Sequence, residues 1–508
     1  MEWRGKRIAR RRPGSFRRRP PGALAGALAG ALALTAAAPA FAQDIEPVGD
    51  PIEQALETGP LLPEEVLRSS ALTFPSILES FEREAAARGD RLAADGAFDL
   101  MLDAEAYDRL SGFYSGGYAE FKATQPLRPL GAKVFGSYKL SDGRFPIYEN
   151  VFNTNELGEF KVGALLSLLR DSTIDDRRFA LEDTRLAASQ ARLDILLVQL
   201  KVQYEALQAY WTWVAAGAEI RVYEELLEIA EAREVGLTRQ VREGAQPRIA
   251  LTENEQNLIR RRTLLAEAQR DFQTAANSLS FYLRDGEGNL FVPARDQLPR
   301  ADLLSELPDM AEMMADRRRF VLDERPELEN LRLAIERAEN RVELRRNELK
   351  PRLDFEVELS RDFGPVGDGG EGFDSTDTIV GLTFTVPLQR REARGRLRRA
   401  EAELRARELE QRRIADEISV ELDNILTNLD AALRLADLAD DEVEQATAMV
   451  EAERKRFRLG AGDFFLVNLR EERAADAQIR AIRADLIGRL ATASYNAATM
   501  HLDELGLE

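Results

Sequence analysis

Residues 377–388 read DTIVGLTFTVPL, and a long uninterrupted helical pattern follows them. Apolar side chains alternate with small or polar ones in this stretch, which is typical of a strand with one apolar face and one polar face. Pro387 ends the strand, because proline cannot donate a hydrogen bond to the ladder. From about Arg390 the apolar residues recur every three or four positions, as on one side of a helix. The stretch therefore predicts a short amphipathic strand joined to a helix.

This helix is predicted to be several times longer than an average one. Between Arg390 and Leu459 the sequence contains no proline and one glycine, Gly395. About 70 helical residues at 1.5 Å each would span on the order of 100 Å, whereas the apolar core of a bilayer is about 30 Å thick. Charged residues cover the helix surface, so we expect the helix to lie in water and not to cross lipid.

The composition excludes several kinds of chemistry. The 508 residues include no cysteine and one histidine, His501. A disulfide, a thiol nucleophile and a lipid anchor on an N-terminal cysteine are therefore excluded. One histidine leaves little room for a Ser-His-Asp triad or a histidine metal site. The glycine-rich residues 364–372 lack the Lys-Ser/Thr ending of a P-loop, which favours a hairpin loop. We expect no enzymatic activity, no cofactor and no metal site.

The first 42 residues are predicted to be a signal peptide. Nine basic side chains precede an Ala/Leu-rich stretch, and Ala40-Phe41-Ala42 provides a small-x-small cleavage site. The alternative, a transmembrane anchor, is disfavoured because the apolar run is short and alanine-rich. Removal of these residues changes the net charge from −19 to −27, which argues against binding to nucleic acid. No later segment is apolar enough for a transmembrane helix, so we expect any membrane crossing to use strands.

The combination of strand and long helix occurs twice in the chain. Val162-Gly163 recurs 218 positions later, and Gly244-Ala245 recurs 216 positions later as Gly460-Ala461. A near-constant offset indicates a two-fold internal repeat of helix, strand, loop, strand, long helix, turn and helix. In the first repeat a helix is expected from about residue 62 to 94. Residues 108–157 are expected to form a long loop with some β structure, including a strand-like piece around Lys133–Leu140. The predicted divisions are a signal peptide (1–42), an extended N-terminal segment (43–60), a first repeat (61–284), a connector (285–324), and a second repeat with the C-terminus (325–508).

Two glycine-containing turns, which we call the tips, interrupt the long helices. Gly244 with Pro247 forms the first tip, and Gly460 with Gly462 forms the second. Each tip is short, so the flanking helices are expected to fold back as an antiparallel hairpin. A sharp reversal of this kind commonly needs positive φ, which glycine adopts without a steric clash. The tryptophan Trp211 lies on the apolar seam of its helix, which favours core packing over a ligand platform.

These residues together resemble the TolC-like outer membrane efflux proteins, and the resemblance covers nearly all of the chain after residue 42. It rests on the strand at 380–388 with its Pro-Leu end before an Arg/Ala/Glu-rich helix, on the Gly-Ala tips preceded by Arg242 and Arg456, and on the duplication. It implies a mainly α fold with a small β part, consisting of long antiparallel coiled-coil hairpins and four amphipathic strands per chain. Three copies would form a 12-stranded β-barrel continued by an α-helical periplasmic tunnel.

The resemblance implies the outer membrane channel of a tripartite efflux or type I secretion system. Such a channel is a passive conduit for small molecules or secreted polypeptides, in the outer membrane of a Gram-negative bacterium with a large periplasmic part. Its partners would be two further copies, outer membrane lipid, a periplasmic adaptor (membrane fusion) protein and, indirectly, an inner-membrane pump. The alternative is a soluble periplasmic coiled-coil scaffold or adaptor, although adaptors carry modules with many short strands that this sequence lacks. Drug, metal and polypeptide cargo all remain open.

The strands and tips supply the candidate functional residues. A strand bundle cannot cross lipid with open edges, and a closed barrel in a membrane alternates apolar residues outward with polar residues inward. The lipid-facing candidates are Phe355, Val357, Leu382 and Phe384. The lumen-facing candidates are Asp354, Glu356 and Glu358. The candidates for adaptor contact at the tips are Gly244, Ala245, Pro247, Gly460, Ala461, Gly462, Asp463, Phe464 and Phe465.

The sequence leaves two questions open at the second tip. The acidic constriction of some family members has no matching motif here, although Glu253 and Asp463 lie near the tips, and Asp463 is equally well explained as a helix N-cap. Phe464 and Phe465 cannot both face one helical seam, because neighbouring positions on a helix diverge by about 100°. We therefore expect one of the two rings to be available to a neighbouring chain or to the adaptor.

Overall fold

The computed structural model describes residues 59–285, 288–300, 302–307, 325–367 and 375–507. The predicted signal peptide, most of the extended segment at 43–60, and parts of the connector and of the glycine-rich loop lie outside these residues. The chain divides into two compact units. Among the described residues, one unit holds 95–178 and 346–393 and contains the sheet, and the other holds the remaining residues and is helical.

The helices follow the segments with helical periodicity. In chain order they are α1 (Pro63–Thr73), α2 (Pro75–Asp95), α3 (Asp176–Arg242), α4 (Ile249–Leu279), α5 (Pro326–Asn347), α6 (Arg391–Arg458) and α7 (Phe464–Ala498). Helices α3 and α6 have 67 and 68 residues, which corresponds to about 100 Å each. The single helix expected from about residue 62 to 94 is instead two helices. The break lies at Phe74, whose backbone is extended, because Pro75 disfavours helical backbone in the residue before it.

Helices α3 and α4 pack antiparallel, as the short first tip predicts. The Arg261 guanidinium of α4 donates a 2.7 Å hydrogen bond to the backbone carbonyl of Leu226 in α3. Farther from the tip, the rings of Trp213 in α3 and Phe272 in α4 have centroids 6.1 Å apart. Between these two contacts the residue number decreases along α3 and increases along α4. The two helices are therefore antiparallel, which confirms the helical hairpin.

Helix α7 packs against both long helices of the helical unit. Arg480 of α7 forms a 2.6 Å ion pair with Glu442 of α6, and Arg483, one turn away, forms a 2.8 Å ion pair with Glu219 of α3. These pairs place α7 between α6 and α3, so the second hairpin and the first share one bundle.

The main hydrophobic core of the helical unit lies around the middle of α3. Trp213 and Tyr210 have no exposed surface, and the side chains of α4 and of the C-terminal part of α7 pack on them. Trp211 is also buried, and the guanidinium carbon of Arg489 lies 4.5 Å from the centroid of its ring. The tryptophans are therefore part of the core, as the apolar seam predicts.

The sheet unit contains six strands, and not four, among its described residues. They are β1 (Met101–Asp108), β2 (Gly117–Pro126), β3 (Lys133–Asp142), β4 (Glu159–Ser167), β5 (Arg352–Asp362) and β6 (Thr376–Thr385). The strands lie in sequential order, and every neighbouring pair is antiparallel. The prediction of four strands per chain is wrong, and the count of twelve strands for three copies loses its basis.

The two additional strands, β2 and β3, lie in the region 108–157 that was expected to be a long loop with some β structure. β3 confirms the strand-like piece expected around Lys133–Leu140, whereas β2 was not expected. Small residues such as Ala119, Ala123 and Gly136 occupy many of their apolar positions, so their hydrophobic alternation is weak in the sequence. Their pairing is nevertheless complete, because each of the ten residues of β2 is aligned with a residue of β3. Backbone pairing and the neighbouring strands stabilise these two strands where side-chain hydrophobicity gives little indication of them.

Candidate functional site

The strand register divides the sheet into an apolar face and a polar face. Residues directly opposite each other on neighbouring strands share a face, so the apolar face comprises the even-numbered residues of β1, β3, β4 and β6 and the odd-numbered residues of β2 and β5. One row across this face consists of Leu102, Ala123, Gly136, Val162, Leu359 and Thr378. The charged residues of this face are confined to the strand ends that adjoin the three longer loops, at Asp108, Asp142 and Arg361.

The four residues predicted to face lipid all lie on the apolar face. Phe355 is aligned with Leu382, and Val357 lies on the same side of β5. Leu382 and Phe384 are 67% and 61% exposed. An apolar surface that continues across six strands is far larger than the scattered apolar residues of an ordinary soluble surface. It needs a covering, and contact with lipid stays a prediction for these residues.

The polar face carries many charges with an acidic excess. It holds nine carboxylates and five basic side chains, a net charge of −4 per chain. The predicted lumen residues Asp354, Glu356 and Glu358 lie on this face, opposite in parity to Phe355. Their proximity on one strand concentrates negative charge there.

Two of these three carboxylates have basic partners within the sheet. Arg352 forms a 2.6 Å ion pair with Asp354, and Lys161 forms a 2.9 Å ion pair with Glu358. Ser167 also donates a 3.2 Å hydrogen bond to Asp354. Among the described residues, Glu356 has no such basic partner within 4 Å. The sequence could not indicate this difference, because the pairing of β4 with β5 joins residues nearly 200 positions apart.

Both tips end the preceding long helix with the same backbone geometry. At the first tip, Gly244 N–H donates to the Val241 carbonyl (3.2 Å) and Ala245 N–H donates to the Gln240 carbonyl (2.8 Å). At the second tip, the N–H groups of Gly460 and its successor donate in the same pattern, with both distances 3.0 Å. This is the Schellman motif, which satisfies the last carbonyls of a helix. The φ angles of the two glycines are +77° and +76°, as the sequence predicts.

The two phenylalanines after the second tip have different environments. Phe464 is buried against Leu237 and Ala250, whereas Phe465 is 55% exposed. Asp463 caps α7, because its carboxylate accepts a 3.2 Å hydrogen bond from the Phe465 N–H. Asp463 is therefore an ordinary helix N-cap. Of the two phenylalanine rings, that of Phe465 is the one exposed to solvent.

The first tip has an exposed apolar residue that the sequence analysis missed. Ile249 is 69% exposed and lies 216 positions before Phe465, the same offset that relates Gly244 to Gly460. The offset from Phe465 could have identified it. Each tip thus exposes one apolar side chain in the first turn of its second helix.

Behind the tips, a buried charge cluster joins four helices. The carboxylate of Glu471 on α7 accepts hydrogen bonds from Arg233 of α3, from Arg454 of α6 (2.9 Å) and from Arg261 of α4 (3.4 Å). The side chain of Glu471 is 2% exposed and that of Arg261 is 1% exposed. Burial raises the pKa of Glu471, but the hydrogen bonds and charges of Arg233 and Arg454 outweigh it, so this pKa is lowered overall. Burial, as the largest cause, lowers the pKa of Arg261.

The described residues lack both a metal cluster and an apolar helix of membrane-spanning length. No group of three or more His, Cys, Asp and Glu side chains in the described part of the chain is arranged to hold a metal ion. Within those same residues, no helix is both long and apolar enough to cross a membrane.

The described residues combine an antiparallel sheet that has one apolar face with helices of about 100 Å. Residues 319–485 match the family model described as "Outer membrane efflux protein". The match confirms the resemblance to outer membrane efflux proteins that the sequence shows. None of the curated proteins matches the chain.

Solved structures of outer-membrane channels share this fold. The outer-membrane channel OprN is 15% identical with a TM-score of 0.60, covering 88% of this chain and 90% of that chain. The outer membrane protein VceC from Vibrio cholerae is 14% identical with a TM-score of 0.61, covering 86% and 95%. The outer membrane channel CmeC from Campylobacter jejuni is 14% identical with a TM-score of 0.58, covering 87% and 89%. At these identities the likeness establishes the fold.

Proposed function

We propose that the chain forms an outer membrane channel-tunnel of a tripartite export system. In this proposal it assembles as a homotrimer and catalyses nothing. It is a passive conduit for small molecules or secreted polypeptides, and an inner-membrane pump supplies the energy through a periplasmic adaptor. The observation that supports this proposal best is the sheet with its two faces. A sheet that is apolar on one side and highly charged on the other suits a boundary between lipid and a water-filled lumen.

The tips are the proposed contact with the adaptor. Each combines a glycine-dependent turn with an exposed apolar side chain in the first turn of the following helix, Ile249 or Phe465. An isolated exposed phenylalanine needs no special explanation, but here an apolar residue is exposed at the equivalent position of two turns with the same hydrogen-bond pattern. A partner that recognises one tip would find the same hydrogen-bonded helix end and an exposed apolar side chain at the other.

The channel itself is tested by location and conductance. We expect the full chain to be recovered in outer membrane fractions as a heat-resistant trimer and to form ion-conducting channels in planar bilayers. Recovery as a soluble periplasmic monomer without channel activity would instead support the coiled-coil scaffold and would exclude the channel.

The adaptor contact is tested with charge substitutions at the tips. We expect Phe465→Glu to leave trimer insertion and bilayer conductance intact and to abolish export, because a charge would have to be buried without a partner in the apolar contact. Phe465→Tyr, which keeps the ring, is the matched control and should retain most export. Cysteines at Ala245 and Ala461 provide a direct test, since the native chain has none. If neither position crosslinks to the cognate adaptor in complexes that export, the tips are not the docking site.

A further inference from the structure

The six-stranded sheet has two open edges, β1 and β6. All eight residues of β1 and nine of the ten residues of β6 are exposed. The apolar face continues to both edges, where Leu102 and Leu382 are 77% and 67% exposed. An open edge presents a row of unpaired N–H and C=O groups, which is strongly unfavourable in hydrocarbon and promotes aggregation in water. Both edges therefore require a partner strand.

The directions of the strands fit a second copy of the same chain. Neighbouring strands alternate in direction, and with six strands β6 runs opposite to β1. When β6 of one copy lies beside β1 of the next, the antiparallel alternation continues without interruption. The apolar face also continues if even-numbered residues of β6 lie opposite even-numbered residues of β1. A shift by one residue would place the apolar side chains of one strand on the polar side of the sheet.

We propose that β6 of each chain pairs with β1 of the next and that three chains close an 18-stranded barrel. The number of copies rests on the proposed trimeric channel, whereas the number of strands per chain rests on the sheet. A barrel of twelve strands from three chains would need two strands of each sheet to lie outside it. The interior strand β3 would then have to become an edge, although all ten of its residues are aligned with β2. The apolar face also extends over β1 and β2, at Leu102 and Phe121. Strands outside the barrel would not contact lipid and would not need an apolar face.

The strand number determines the width of the barrel. With strands about 4.8 Å apart and tilted by roughly 40°, the backbone-to-backbone diameter is about 36 Å for eighteen strands and about 24 Å for twelve. Barrels of 16–18 strands leave an aqueous channel between their inward side chains. The barrel section would therefore have a cross-section more than twofold larger than the resemblance implies, which suits bulkier cargo.

Paired cysteines test the proposed contact, and the cysteine-free chain provides the background. One cysteine replaces each even-numbered residue of β6 from Thr376 to Phe384, and the second replaces each even-numbered residue of β1 from Leu102 to Asp108. Facing residues of adjacent strands lie within the 7 Å that a disulfide can bridge. We expect at least one pair, for example Val380→Cys with Ala104→Cys, to give a covalent ring of three chains on a denaturing gel. The control grid places the β1 cysteine at odd-numbered positions such as Asp103, where we expect no ring.

The outcomes separate this inference from the proposed function. A ring of three from even–even pairs supports the inference, and strand counting by electron cryo-microscopy of the same trimer should give eighteen. Conducting trimers without any crosslink in the even–even grid, or with a count of twelve, would overturn the inference and leave the channel function in place. A covalent ring of two chains would overturn the trimeric closure. Absence of channels and trimers altogether would refute the proposed function itself.

Discussion

The buried charge cluster behind the tips gives the sharpest prediction for stability. We expect Glu471→Gln to destabilise the helical unit strongly although the new side chain has almost the same shape. The substitution removes the one carboxylate that three arginines from α3, α4 and α6 share. Arg233 keeps a 2.5 Å hydrogen bond to Asn468, but Arg261 loses its charged partner and keeps its bond to the Leu226 carbonyl, and its side chain is 1% exposed.

The expected magnitude follows from the burial of Arg261. Removing one partner of a buried ion pair costs about 3–5 kcal/mol, because it leaves an uncompensated buried charge. The adjacent residue provides a matched control with the same change in charge. Glu472 lies 3.6 Å from Arg260, whose side chain is 66% exposed, and a pair of this kind contributes about 0–1 kcal/mol. Glu472→Gln should therefore be nearly neutral.

The assay is the temperature at which the purified trimer loses its helical circular dichroism. We expect a large decrease for Glu471→Gln and a small one for Glu472→Gln. Adding Arg261→Met to the first variant should restore much of the loss, because it removes the unpaired buried cation. Equal decreases for the two single variants, or no rescue by the double variant, would show that the cluster is not a buried charge network of this kind. The lowered pKa of Glu471 also predicts a pH dependence of stability. The stabilisation by its carboxylate is complete above the ordinary pKa of a glutamate and is lost as the pH falls through the lowered pKa.

Three further predictions concern other parts of the chain. Phe384→Arg should cost about 2–4 kcal/mol if the residue faces lipid near the midplane and should deplete trimers from the outer membrane, whereas Thr383→Arg on the polar face should be tolerated. Burial and the charge of Asp440 raise the pKa of Asp485 from 3.8 to about 6. The free energy of unfolding should therefore fall as the pH rises through this range, by about 3 kcal/mol at 1.36 kcal/mol per pKa unit. Asp485→Asn should abolish this fall in melting curves measured at different pH values. Glu356→Gln removes one of the four excess negative charges of the polar face and should shift the bilayer reversal potential towards weaker cation preference, and an unchanged potential would exclude it from the selective region.

The sequence was sufficient where local physics determines the structure. The long helices follow from apolar periodicity without interruption, and the positive φ of Gly244 and Gly460 follows from the sharp reversals that they allow. Strand β6 follows from alternation between large apolar and small polar residues. Strand β2 was missed because small side chains such as Ala119 give it little alternation, and its pairing with β1 and β3 stabilises it instead. The piece at 133–140 was predicted to be strand-like, and β3 confirms it.

The parts of the candidate site that join distant segments could not be predicted. The cluster around Glu471 joins Arg233 to a carboxylate 238 positions away, and no spacing rule indicates which faces of four helices will meet. The assignment of Lys161 to Glu358 likewise depends on the register of β4 against β5. Periodicity gives the face of each element, whereas tertiary packing decides which charged side chains on those faces become partners.

The two tips illustrate how these levels combine in the proposed channel. The backbone of each turn is a local property, because glycine at C′ allows the same pair of hydrogen bonds at residues 244 and 460. The exposed side chain is a tertiary property, because the packing of Phe464 against α3 and α4 turns Phe465 outward. Ile249 is exposed at the equivalent position of the first tip, so three copies would present six turns with an exposed apolar side chain at this position. If export depends on both turns, Ile249→Glu should impair it as Phe465→Glu does; if only one variant is defective, the adaptor distinguishes the two tips.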